Sequence, residues 1–247
     1  MIEAYDDLAR RVLAGPARLG RTRLVAVDGP SGAGKTIFAE RLAAAIGSAA
    51  AIGGSGSAAG SDGAVGPEGT AGSAAATGPG GAAGVPGAGR PPVVHTDDLL
   101  DGWADQVSFW PRLREWVLDP LRAGEPGRYR RYDWTKGEFG ADWSVVPPAP
   151  VVILEGVTAA RAEIRPELTC AIFVTAPSRL RLERALARDG ADLLPYLRRW
   201  RRGERVHFAA DRTEAHADLV VDGAATPPGA ATHYVRRLRR VRPDPPT

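Results

Sequence analysis

The chain has 247 residues, enough for one α/β domain with decorations, and its 44% hydrophobic content supports a real core. The formal net charge is only +3, and a single cysteine, Cys170, rules out an internal disulfide. No apolar run approaches the roughly 20 residues of a membrane-spanning helix, so composition predicts a cytoplasmic protein with no membrane span and no large cationic field for nucleic acid.

Met1 to Arg11 lacks the basic-then-apolar order of a signal peptide. Ile2, Tyr5, Leu8, Ala9, Val12 and Leu13 instead predict an amphipathic N-terminal helix within residues 1–20. Arg23 to Asp28 is a short apolar run of the kind that forms a buried parallel strand. Next comes Gly29-Pro30-Ser31-Gly32-Ala33-Gly34-Lys35-Thr36, which fits G-x-x-x-x-G-K-[ST]. Apolar residues at 38, 42, 45 and 46 then recur at helical spacing.

Strand, loop and helix in this order predict a phosphate cradle. The glycines let the backbone turn so that successive N–H groups point inward as a nest for phosphate oxygens. The helix start adds its positive dipole end. Lys35 would reach the β- and γ-phosphates, and the Thr36 hydroxyl would coordinate Mg²⁺. The chain has two lysines and thirty arginines. A lysine at this position fits a place where a compact ammonium must slip between phosphates and a planar fork does not fit.

Residues 47–92 are nearly all Gly, Ala, Ser, Pro and Thr, and they read as a disordered surface insertion with too little apolar surface to offset its ordering entropy. Four more apolar runs follow, at 93–96, 151–154, 171–174 and 218–221, with helical patterns at 105–123, 178–188 and 192–208. Cys170 opens one of these runs and reads as a small core residue. The alternation predicts an α/β fold, a five-stranded parallel sheet with helices on both faces. Residues 21–223 form the domain, followed by a basic, proline-containing tail at 224–247 whose arginines read as a solvated face rather than a nucleic-acid surface. Sequence leaves the oligomeric state open.

Ligands of such sheets bind beyond the carboxyl ends of the strands. There stand Asp97 and Asp98 after the second strand and Glu155 after the third. Phosphoryl transfer needs a cradle, Mg²⁺, a group that orients or deprotonates the acceptor hydroxyl, and cations around the transferring group. Asp97 is the candidate base, and Glu155 the candidate holder of the Mg²⁺ shell. Arg181, Arg184 and Arg188 recur at i, i+3 and i+7, which predicts a lid in the region of 178–205. Trp103, Trp110, Trp116, Trp134 and Trp143 cluster between the second and third strands, as a substrate sandwich or as core.

The succession VAVDGPSGAGKT, VVHTDDLLDGW, RYRRYDW, VVILEGV, RALARDG and HADLVVDG resembles the uridine kinase-like branch of P-loop kinases, from about residue 20 to 223. The resemblance implies a P-loop NTPase-type sheet of order 2-3-1-4-5 with a small lid. It also implies ATP and Mg²⁺, and transfer of the γ-phosphate to a hydroxyl of a small substrate such as uridine or cytidine. Gly29 to Thr36 would bind ATP. Lys35, Asp97, Arg184 and Arg188 would be catalytic, and Thr36 and Glu155 would hold the metal. Asp97, Asp98, Tyr132, Asp133 and Trp134 would meet the acceptor. The acceptor half departs from the family pattern: Tyr132-Asp133-Trp134 is followed by Thr135, Lys136 and Gly137 without the expected histidine, Phe109-Trp110-Pro111 replaces Phe-Asp-His-Pro, and Ala191 takes a lid arginine's place. Two alternatives stay open: a nucleoside monophosphate or other metabolite as acceptor, with Arg128, Arg130 and Arg131 as phosphate ligands, and a non-catalytic ATP-binding regulator.

Overall fold

A computed structural model describes residues 1–54 and 89–238. Most of the insertion (55–88) and the end of the tail (239–247) therefore lie outside the described residues. The elements run β1 (Ile2–Ala4), α1 (Tyr5–Ala14), β2 (Arg23–Asp28), α2 (Lys35–Gly54), β3 (Val93–His95), α3 (Trp110–Leu113), α4 (Asp119–Ala123), β4 (Gly127–Asp133) and β5 (Glu138–Val146). They continue with β6 (Val151–Glu155), β7 (Leu168–Thr175), α5 (Ser178–Asp189), α6 (Leu194–Asp211), α7 (Thr213–His216), β8 (Leu219–Asp222) and β9 (His233–Val235).

The central sheet is parallel throughout and has the order β3-β6-β2-β7-β8. Counting only these five strands along the chain gives 2-3-1-4-5, the order that the family resemblance implies. Successive residues of β2 feed opposite faces, as the two-residue strand period requires. Val25 and Val27 pack with α1 and α2, alongside Leu8, Phe38, Leu42 and Ile46. Leu24 and Ala26 pack on the other face with Trp110, Leu113, Leu118 and Trp200. Both faces are covered, which is why the strands read as continuous apolar runs.

Several boundaries differ from the sequence reading. The N-terminal helix is preceded by β1, which pairs antiparallel with β9, so part of the predicted tail folds back onto the start of the chain. Helix α2 continues to Gly54 rather than ending near Gly47, because its alanines are the strongest helix formers. The predicted 105–123 helix starts only at Trp110, and a π-helical turn at Arg114–Leu118 separates α3 from α4. Pro120 has no N–H and its ring crowds the carbonyl four residues back, which widens the preceding turn. The β4–β5 hairpin was not foreseen; its register shifts between Arg130 and Tyr132.

The end of β2 is fixed by Asp28, which is fully buried. Its carboxylate accepts three backbone N–H bonds: from Gly29 at 2.6 Å, Thr158 at 3.0 Å and Ala160 at 2.9 Å. Burial pushes its pKa up to about 7, against the pull of these donors and of Lys35. Thr158 itself has φ 72° and accepts a 3.0 Å hydrogen bond from Trp110 Nε1 on its hydroxyl. Asp28→Asn would turn an amide NH₂ against a backbone N–H and leave a buried donor unpaired. It should destabilise the fold by about 2 kcal/mol, seen as a fall of roughly 4–8 °C in Tm; an unchanged Tm would contradict the assigned bonding.

Candidate active site

The loop between β2 and α2 turns as the pattern requires, with φ of 138°, 75° and 98° at Gly29, Gly32 and Gly34. It opens into a cleft of about 590 Å³ at the carboxyl edge of the sheet. The walls include Ser31, Gly32, Gly34, Lys35, Thr36, Asp97, Glu155, Arg184 and Arg188. The lining also includes Tyr5 and Arg41 and residues around β9, among them His233 and Tyr234. Residues more than 180 positions apart thus share one cavity.

Lys35 is buried, and its Nζ rests 3.4 Å from the Pro30 carbonyl. Gly223, after β8, backs onto the loop so closely that a Cβ there would stand 1.8 Å from the Ala33 carbonyl oxygen. Arg184 ties the same two segments together by donating to the carbonyls of Gly32 (3.2 Å) and Gly223 (3.0 Å).

Thr36 donates to Glu155 Oε2 at 3.3 Å, and His95 Nδ1 lies 2.6 Å from the same oxygen. Burial alone would raise the Glu155 carboxyl, but His95, Lys35 and Thr36 together hold it below the ordinary range. Burial alone would lower the His95 imidazole, yet Glu155 leaves it raised. His95 has no signal in the sequence, because a lone histidine at the end of a strand carries no pattern; only the pairing across β3 and β6, His95 opposite Glu155, reveals it. Among the described residues no group of three or more His, Cys, Asp or Glu forms a protein-only metal cage. The Thr36 hydroxyl and Glu155 carboxylate are hard oxygen donors, and they fit Mg²⁺, which keeps several waters and shares nucleotide phosphates instead of filling such a cage.

Asp97 is the second residue of a 3₁₀ turn after β3 (Thr96–Leu99) and stays exposed to the cleft. The cleft walls exclude enough water to raise its carboxyl above the ordinary value, with Glu155 and Asp98 adding to the rise and Lys35 and Arg188 opposing it. Asp98 differs from expectation. It is buried away from the cleft, 3.4 Å from both the Tyr129 hydroxyl and Arg131 Nε. Asp133 also differs: its carboxylate accepts the backbone N–H groups of Thr135 (2.9 Å) and Lys136 (3.0 Å), so it closes the β4–β5 turn.

Arg184 and Arg188 line the cleft, and Arg188 is braced by Asp189 at 2.6 Å. Arg181 does not line the cleft. It donates to the Ala176 carbonyl and lies 3.7 Å from Glu204. The tryptophans divide. Trp110 is core. Trp116 and Trp143 pack edge to face at the hairpin. Trp103 and Trp134 form a shelf, ring centroids 5.2 Å apart, joined by Tyr132, Tyr196 and Trp200.

No family model matches the chain. A curated uridine kinase from Deinococcus deserti is 40% identical over 81 residues, 32% of this chain and 39% of that protein. The matched stretch is thus well under half the length of that relative. Two solved structures align over almost their whole length. A possible uridine kinase from Bacillus stearothermophilus matches with TM-score 0.51 and 17% identity, over 87% of this chain and 96% of that one. A protein assigned as a fructose transport system kinase from a Silicibacter species matches with TM-score 0.52 and 19% identity, over 88% and 98%.

Gly223→Ala should push the Ala33 carbonyl and deform the cradle. ATP affinity measured by titration calorimetry should fall at least about tenfold (about 1.4 kcal/mol), and unchanged affinity would mean the loop does not depend on this contact.

Proposed function

We propose that this chain, which resembles the uridine kinase-like P-loop kinases and shares their fold, is an ATP- and Mg²⁺-dependent kinase that transfers the γ-phosphoryl group to a hydroxyl of a small acceptor, a uridine- or cytidine-like nucleoside being the first candidate. The observation that carries this reading is the convergence of Lys35, Asp97, Arg184 and Arg188 on one cleft. Binding a nucleotide alone requires the cradle; it does not require a carboxylate placed across it from the lysine.

The roles follow from position. Residues Gly29 to Thr36 hold the triphosphate. Thr36 and Glu155 hold Mg²⁺, which when bound neutralises developing phosphate charge. Asp97 accepts the proton of the attacking hydroxyl, and its raised carboxyl makes it a better base than an ordinary aspartate. Arg184 and Arg188 offset charge on the transferring group, with Arg188 kept pointing inward by Asp189.

A second reading, another hydroxylated metabolite such as a sugar, is favoured by the acceptor side. Asp133 is committed to its turn, while Trp103, Trp134 and Tyr196 present an aromatic shelf that suits a planar base or the apolar face of a sugar ring. A nucleoside monophosphate fits less well, since the three candidate arginines diverge: Arg128 is exposed, Arg130 lies over Trp143, and Arg131 sits beside Asp98.

ADP release from ATP and Mg²⁺ should depend on an acceptor in a panel of nucleosides, nucleoside monophosphates and sugars. ATP binding with no acceptor-dependent turnover anywhere on a broad panel would favour a regulatory nucleotide-binding protein. Asp97→Asn should leave ATP affinity nearly intact and lower turnover by at least ~10²-fold; weakened ATP binding with normal turnover would remove Asp97 from the base role.

A further inference from the structure

Helix α6 carries Tyr196, Trp200 and Glu204 four residues apart, so the three lie along one face. The Glu204 end of this face touches the phosphate loop. Glu204 is only 1% exposed, and its Oε1 accepts the Ser31 backbone N–H at 2.7 Å. Trp200 Nε1 donates both to the Ser31 hydroxyl at 2.8 Å and to Glu204 Oε1 at 2.9 Å. The Tyr196 end touches the aromatic shelf: Trp103 packs 5.7 Å from Tyr196 and edge to face with Trp200 at 5.9 Å. The same segment is pressed onto the helix lower down, where a Cβ on Gly203 would stand 2.2 Å from Gln106 Oε1.

A buried carboxylate beside an anion cradle is costly unless it is bonded. Here it is bonded to the loop itself, which indicates a mechanical role for Glu204. Nothing in the proton transfer assigned to Asp97 uses it.

We propose that Trp200 and Glu204 are positioning residues that form a strut between the phosphate loop and the aromatic shelf, so that nucleotide at Ser31 and acceptor at Trp103 are sensed by one rigid helix face. The proposal rests on the cleft being a nucleotide site. Coupling of this kind needs an element whose position both sites bias, and α6 is the element that touches both. It is also a reciprocal effect: whichever ligand binds first pre-orders the surroundings of the other.

Hydrogen exchange followed by mass spectrometry on the full chain tests this, with ATP and Mg²⁺ as the probe. In the unmodified protein ATP should slow exchange in residues 29–36 and also in residues 99–106, none of which lines the cleft. In Trp200→Phe, which keeps a ring against Trp103 and loses the N–H, residues 29–36 should still be protected and residues 99–106 should not. Protection confined to 29–36 in the unmodified protein, or equal protection of 99–106 in the variant, overturns the strut. If ATP protects no segment, the nucleotide reading fails instead, and the strut is judged without ligand. Glu204→Ala should then speed exchange of the Ser31 segment by about tenfold or more, the scale of losing a hydrogen bond to a charged acceptor. Unchanged exchange there overturns the strut as well.

Discussion

The Asp28 carboxylate is the junction on which the site depends. It is the last residue of β2, and its three N–H partners belong to the start of the phosphate loop and to the turn that follows β6. One oxygen bonds Gly29 and Thr158, and the other bonds Ala160. The spacing between the cradle and Glu155, three residues before Thr158, is set by this carboxylate. The sheet alone would fix strand directions, but not the approach of two loops that leave neighbouring strands. Buried backbone N–H groups need acceptors, and here one carboxylate satisfies three of them while joining the loop after β2 to the turn after β6.

Charges in the cleft are balanced in a graded way. Glu155 is held ionised by His95, Thr36 and Lys35, whereas Asp97, open to the cleft, is raised. Two carboxylates in one cavity therefore differ in basicity because their neighbours differ. Arg188 lies on the Asp97 side of this arrangement and is itself kept charged by Asp189.

What could be read from the sequence followed how local each signal was. The strand, loop and helix around Lys35 are contiguous, so the cradle and the alternation of parallel strands with helices could be read from periodicity and punctuation, whereas the order of the strands followed only from the family resemblance. Arg184 and Arg188 reached the cleft as their spacing suggested, but Arg181 did not. Arg181 sits one turn nearer the start of α5 than Arg184, where the Ala176 carbonyl and Glu204 take its guanidinium, and sequence spacing cannot supply those partners. Asp98 and Asp133 look like site residues because they adjoin Asp97 and Tyr132, yet each carboxylate found a nearer partner: a tyrosine and an arginine for Asp98, two turn amides for Asp133. His95, Asp28, Trp200 and Glu204 were missed for one shared reason. Each acts through a residue between 60 and 173 positions away, where no periodic pattern reaches. The i, i+4 repeat of Tyr196, Trp200 and Glu204 was the one signal present for the last two.

The division of labour between lysine and arginine also has a structural basis. The arginines around the site mostly grip carbonyls and carboxylates from outside. Arg184 spans two backbone carbonyls, Arg181 takes the Ala176 carbonyl, and Arg201 holds both the carbonyl and the hydroxyl of Ser178. A planar fork with five donors is suited to bridging acceptors that belong to different segments. Lys35 does something else. It is buried at the floor of the cleft with one carbonyl at 3.4 Å, and its electrostatic pull reaches Asp28, Asp97 and Glu155 alike. A compact charge with rotatable donors can leave that carbonyl for a phosphate without dismantling a bridge. An arginine at position 35 would instead have to give up a fixed, bidentate geometry. Of the two lysines in a chain that uses arginine for thirty of its thirty-two basic residues, Lys136 lies exposed beside Asp133 in the β4–β5 turn, and only Lys35 sits buried where a cation in no salt bridge among the described residues faces the cleft.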